Sequence, residues 1–207
     1  MFHSTAFILS ILISLGTLKV HAYERVESSE KFDGVQLTQT VTLDELDNIQ
    51  LKAVAHALRT KKIAFLNFKV YVGEFLIPPD LAWTHKAQDF ISTNPAGIQM
   101  TLLRDVPANK MVEAFREGTE KNHIDPHTKP FQDFLTAVKK SGDIKKNEVF
   151  IIARKKDEKT DRVLVLIPGR LKEIISGPVG WSDNILRLWV GKPTDSGLEN
   201  FQKEIFK

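Results

Sequence analysis

Arg59 and Tyr71 are the residues in this chain best suited to holding a charged guest. Arg59 heads a long apolar stretch, LRTKKIAFLNFKVYVGEFLIPP (58–79), and Tyr71 lies twelve positions further on. A guanidinium offers a fork of donors matched to a carboxylate or phenolate, and a phenol adds one more donor. With apolar walls around them, the two would hold the head of an amphipathic anion and bury its body. The plain alternative is a strand-end arginine bridged to a surface acid, which contributes little. Spacing is the obstacle to the first reading. Twelve residues of straight strand cover roughly 40 Å, so the two side chains share a ligand only if the backbone bends or doubles back, and Phe65 to Asn67 is the place for it. No glycine or proline marks a turn there.

Other chemistry is sparse. There is no G-x-S-x-G elbow and no phosphate-cradling G-x-x-x-x-G-K-[ST]; Gly191-Lys192 ends a helical pattern instead of starting one. His123, Asp125 and His127 cluster, but Pro126 breaks any shared helix face and no further ligand is evident, so a solvated loop is expected and no metal. Glu113 and Glu117 are an i,i+4 pair on a helix whose other face packs, which reads as wet surface rather than an acid–base pair.

The elements that must position Arg59 and Tyr71 follow from periodicity. Tyr23 to Lys31 is polar and reads as loose. Phe32 to Thr42 alternates and holds a strand or two, and Leu43 to Asp47 is turn-like. Ile49 to Leu58 alternates as well, with helical phasing left open. Leu81 to Asn94 is irregular or weakly helical, and Gly97 to Leu103 is a strand. Pro107 opens a helix with Met111, Val112, Phe115 and Thr119 on one face. A second helix, Phe131 to Ser141, is closed by Gly142. Glu148–Arg154 and Val163–Ile167 flank the charged loop KKDEKTD as a hairpin, and Leu171 to Ser176 continues as strand. Ser182 or Asp183 begins a helix ending at Gly191, and Thr194 caps a last helix carrying Leu198, Phe201 and Ile205. Runs of strands beside runs of helices argue for an α+β fold, an antiparallel sheet with helices on one face.

The totals narrow the class. The chain has 207 residues, with 29 basic and 26 acidic side chains and a formal charge of +3. Its lysine pairs are scattered, without the continuous basic stripe that nucleic-acid binding wants. The first 22 residues read as a signal peptide: a short apolar core, FILSILISL, then Val20-His21-Ala22, with cleavage expected after Ala22. That run is too short to span a bilayer, which takes roughly 20 apolar residues. The remainder, 23–207, reads as one domain with no membrane span, periplasmic or secreted. With no cysteine it has no disulfide framework, no thiolate metal site and no lipoprotein anchor.

Several segments together resemble one family. The Arg59 strand with KVYVGEFL, the unit GIQMTLLRDVPANKMVEAFREG, and LIPGRLKEIISGP followed by WSDNILRLWVGKP are similar, in order and spacing, to the chalcone isomerase-like family, in particular its bacterial exported members. The resemblance runs from about Leu51 to Lys207. It implies an open-faced β-sandwich, a large antiparallel sheet with a layer of helices on one face. In the catalytic branch an arginine, a threonine, a tyrosine, an asparagine and a further hydroxyl organise the cyclisation of a chalcone. Their positions fall at Arg59, Tyr71, near Lys110, near Glu117 and at Leu188. Only the arginine matches, and oxyanion-type donors carry several kcal/mol each, so no catalytic residue is assigned.

The resemblance to the non-catalytic, fatty-acid-binding branch implies Arg59 and Tyr71 as carboxylate ligands, with Lys110 lending charge and no cofactor. The leading expectation is thus a periplasmic non-catalytic binder of a fatty acid or similar amphipathic anion, with Arg59 partly buried and free of any internal acid. The alternative is an isomerase (intramolecular lyase) acting on an enone-type substrate. A third reading, an envelope partner protein whose cleft takes no small ligand, would be favoured by an Arg59 bridged to Asp or Glu.

Overall fold

The computed structural model describes residues 23–207; the expected signal peptide and its cleavage site fall outside the described residues. Eight antiparallel strands form one sheet in simple sequence order: β1 (Tyr23–Phe32), β2 (Val35–Leu43), β3 (Ile49–Ile63), β4 (Leu66–Ile77), β5 (Ala96–Leu102), β6 (Val149–Lys156), β7 (Asp161–Ile167) and β8 (Leu171–Gly177). Five helices accompany it: α1 (Ala87–Ser92), α2 (Ala108–Lys121), α3 (Lys129–Lys140), α4 (Trp181–Val190) and α5 (Ser196–Ile205). This is the expected α+β architecture.

Strand alternation divides the interior into two main cores, with a small third cluster of Val35, Leu37 and Val72 beside them. Phe75 and Ile77 of β4, Ile98 and Met100 of β5, and Val163 and Val165 of β7 meet the buried stripes of the helices, including Phe115, Phe134, Ile185 and Phe201. The interleaved residues face the other way. Leu76, Ile151, Ala153 and Leu164 pack against Val41, Leu43 and Leu46 from β2 and the turn after it. The sheet therefore curls until its first strands partly cover its own outer face. Polar contacts pin that cover. Buried Glu74 accepts the Thr38 amide at 2.6 Å and Gln99 Nε2 at 3.0 Å, and Tyr23 donates its hydroxyl to Gln99 Oε1 at 3.0 Å. Each buried polar group in this set has a partner, as burial requires.

Several expectations need correcting. Tyr23 to Lys31 is an ordered edge strand, not loose chain; it lacks apolar alternation because most of it is exposed and only β2 pairs with it. The choice left open at Ile49 to Leu58 resolves to strand, as its alternation indicates. The cap of the last helix is Asp195, which accepts the Leu198 amide at 2.9 Å, and not Thr194. Arg154, read only as a strand end, is fully buried. It pairs with Asp183 and donates to the carbonyls of Ile91 and Thr93, tying β6 to the C-terminal end of α1 and to the start of α4.

The 58–79 stretch is a hairpin. Ile63 pairs with Leu66 across a two-residue turn, with Ala64 at φ 55°. The left-handed region costs a Cβ-bearing residue roughly 1–2 kcal/mol, and glycine avoids that cost. Replacing Ala64 with Gly should therefore raise stability by roughly 0.5–1 kcal/mol, read as a higher urea midpoint at unchanged m-value.

Candidate functional site

The hairpin resolves the spacing problem. Arg59 and Tyr71 stand directly opposite one another in the β3–β4 ladder, a separation of about 5 Å between Cα atoms rather than the length of a straight strand. One step along, Thr60 pairs with Lys69, leaving Val70 as a bulged residue. Bulges bend a strand and re-aim its side chains. The consequence is local: Val70 and Tyr71, adjacent in sequence, both line the same cavity, together with the alternating set Arg59, Lys61 and Ile63 from β3.

That cavity has a volume of about 460 Å³, inside the range of about 300–1,000 Å³ usual for small-molecule sites. Its floor is the sheet, including Met100. Its far wall is α2, through Lys110, Met111, Phe115 and Glu117, and it is closed by Leu188 and Trp189 of α4 and Leu198 of α5. Every position to which the family resemblance assigns a role (Arg59, Tyr71, Lys110, Glu117 and Leu188) borders this one space.

Tyr71 is almost fully buried. Its hydroxyl oxygen accepts Trp189 Nε1 at 3.1 Å, and its ring meets Phe201 edge-on at 5.9 Å. Gly73 makes room for that packing, since a Cβ there would come within 2.7 Å of the Phe201 ring. Burial pushes the phenol pKa up, against the opposing pull of the Arg59 guanidinium and the Trp189 N–H, so the hydroxyl keeps its proton. Among the described residues that O–H donates to no acceptor, which leaves a buried donor at the cavity wall.

Arg59 departs from expectation. It is partly buried, with its side chain 12% exposed, but it is not free of acids: Nη2 donates to Asp195 Oδ2 at 2.8 Å, and Nη1 donates to the Thr60 carbonyl. Lys61 reaches the same Asp195 oxygen at 2.9 Å. The reason is the start of α5. Gly197 lies so close to β3 that a Cβ would overlap the Thr60 carbonyl and the guanidinium, which brings the capping carboxylate onto the strand. No local pattern links residues 136 apart, although an aspartate one residue before a helical pattern is itself a cap signal. One carboxylate thus stands between two cations. Glu117 approaches Lys61 only at 3.8 Å and is more than half exposed, so its charge is screened.

Lys110 sits at the rim, 64% exposed, and its ammonium pairs with Glu113 at 2.7 Å. That hydrogen bond to Glu113 raises its pKa. Its direct contact is therefore an acid of its own helix, not Arg59 or Tyr71. The remaining cluster singled out in the sequence forms a turn, in which Asp125 accepts the His127 amide at 2.8 Å. Among the described residues no group of His, Asp and Glu has metal-holding geometry.

Burial pushes the Asp195 carboxyl pKa up, but donors from Arg59, Lys61 and the Leu198 amide outweigh it and hold the group well below the usual carboxylate range. A depressed folded-state pKa contributes stability that is fully present above the unfolded value, about 3.9, and is lost as pH falls through the folded value. Asparagine keeps the cap but not the charge. Asp195→Asn should lose roughly 1–3 kcal/mol at neutral pH, and its deficit relative to wild type should narrow steadily below about pH 4 in urea unfolding followed across pH.

Comparison with known proteins agrees with this architecture. The crystal structure of a fatty-acid binding protein from Arabidopsis thaliana superposes with a TM-score of 0.60 at 14% identity, covering 88% of this chain and 96% of that one; at such identity the likeness is one of fold. No curated protein sequence matches. The family described as chalcone isomerase-like matches residues 29–201, and the chain belongs to that family.

Proposed function

We propose that this protein binds a fatty acid or similar amphipathic anion, head at Arg59 and Tyr71, tail between the sheet and α2. The observation that carries this reading is the cross-strand Arg59–Tyr71 pair at the wall of a largely apolar cavity of about 460 Å³. An acyl chain needs no detailed polar code, because each buried methylene contributes about 0.8 kcal/mol. Its carboxylate needs compensating donors, because a desolvated charge without partners is costly. Tyr71 has an uncommitted O–H, and Arg59 uses only its two Nη groups. Lys61 shares the neutralisation of Asp195, so the guanidinium keeps charge to share with a guest. One structural relative is a fatty-acid binding protein, which supports the same class of ligand here. The signal-like pattern in residues 1–22 supports an exported, periplasmic setting of the bacterial kind.

The Arg59–Asp195 pair favours a second reading, in which the cleft takes no small ligand and the protein acts through a partner in the envelope. Ligand content separates the two. Organic extraction of the purified protein, followed by mass spectrometry, should release fatty acids in near-stoichiometric amount, and the delipidated protein should bind a fluorescent fatty acid. An empty extract together with no fluorescent binding sinks the lipid reading and leaves the partner reading standing.

Arg59→Gln should abolish measurable binding in that titration. Tyr71→Phe removes one hydrogen bond to a charged group, worth about 1.5–3 kcal/mol, and should weaken binding roughly tenfold to a hundredfold.

A further inference from the structure

The tip of the β3–β4 hairpin breaks the usual rule for turns. Phe65 is 85% exposed, Ile63 56% and Leu66 53%, three large apolar side chains side by side at one end of the molecule. Turns ordinarily carry small polar residues, and an exposed apolar cluster marks a contact site. Two cations flank this one. Lys62 is exposed and has no carboxylate partner among the described residues; Arg104 likewise has none and lies over the Phe68 ring at 5.0 Å. The tip is also continuous with the cavity, because Ile63 and Arg104 both line it.

We propose that this tip docks the protein onto an anionic lipid surface, with Phe65 and Leu66 entering the acyl boundary and Lys62 and Arg104 meeting the headgroups. The proposal rests on the lipid-binding reading, since it sets the cavity mouth against the phase in which a fatty acid resides. Size argues for lipid over protein. A stable protein interface buries about 800 Å² per partner, more than a two-residue turn and its flanks can offer. Insertion of a few apolar side chains beside basic ones is sufficient for reversible attachment to an anionic bilayer. Acidic groups face the same end: Asp33 is paired with Lys69, Asp105 with Lys145, Glu113 with Lys110, and Glu117 approaches Lys61. The unpaired charge at the tip is therefore positive.

Vesicle pelleting tests this without any fatty acid, so its failure is distinguishable from a failure of the cavity to bind one. The 23–207 protein should pellet with mixed phosphatidylcholine–phosphatidylglycerol vesicles, weakly with phosphatidylcholine alone, and less at high salt. The double variant Phe65→Ser, Leu66→Ser should lower partitioning roughly tenfold, and Lys62→Glu should do so for the anionic vesicles only. Both variants should keep the wild-type thermal transition and the wild-type binding of a fluorescent fatty acid in solution. Three results would overturn the proposal: no pelleting of wild type with anionic vesicles, unchanged pelleting of the double variant, or self-association in buffer that the double variant removes, which would assign the tip to a second copy of the chain.

Discussion

The register of one hairpin governs the site. A two-residue turn at Ala64 and Phe65, followed by one bulged residue at Val70, sets Arg59 opposite Tyr71 and turns both toward the helices. A one-residue slip would reverse the facing of every side chain beyond it, sending the guanidinium to the outer face. The register is over-determined from both sides of β4. Gly73 admits the Phe201 ring on the inner face, and Glu74 is held by Thr38 and Gln99 on the outer face. The polar cover of the outer face therefore contributes indirectly to where the cavity donors point.

Charge at the site is shared. Asp195 caps α5, receives Arg59 and receives Lys61, so one carboxylate fixes a helix start, orients a guanidinium and lowers the cost of burying it. An arginine this enclosed without a partner would be expensive. Asp195 satisfies it internally, and a guest anion would compete for donors already partly engaged. Selectivity would then come from the apolar body of the ligand more than from its head, consistent with walls formed by Met100, Met111, Phe115 and Leu198.

The fold was legible where periodicity was strong. The β6–β7 hairpin and the helices α2, α3, α4 and α5 follow from apolar spacing and from Gly142 and Gly191 at helix ends. It was illegible where tertiary context replaced local signal. β1 is polar on both faces because it is an edge, and the central turn uses alanine and phenylalanine where glycine or asparagine would be expected. The two proposed head-group ligands were legible as residue types, and their meeting was legible only as a requirement. The acid on Arg59 and the burial of Arg154 were not, because their partners arrive from distant elements. Lys110 borders the cavity, but its pairing with Glu113 is not readable from charge and spacing alone, because other acids lie near it in sequence as well.

A fatty acid bound in this cavity should rest its carboxylate against Arg59 and Tyr71. The most direct measurement is a carbon-13 NMR titration of carboxyl-labelled fatty acid bound to the delipidated protein. We expect a single bound resonance that stays ionised to lower pH than free fatty acid and that disappears in Arg59→Gln. A bound carboxyl that titrates like the free acid and is indifferent to Arg59 would contradict it.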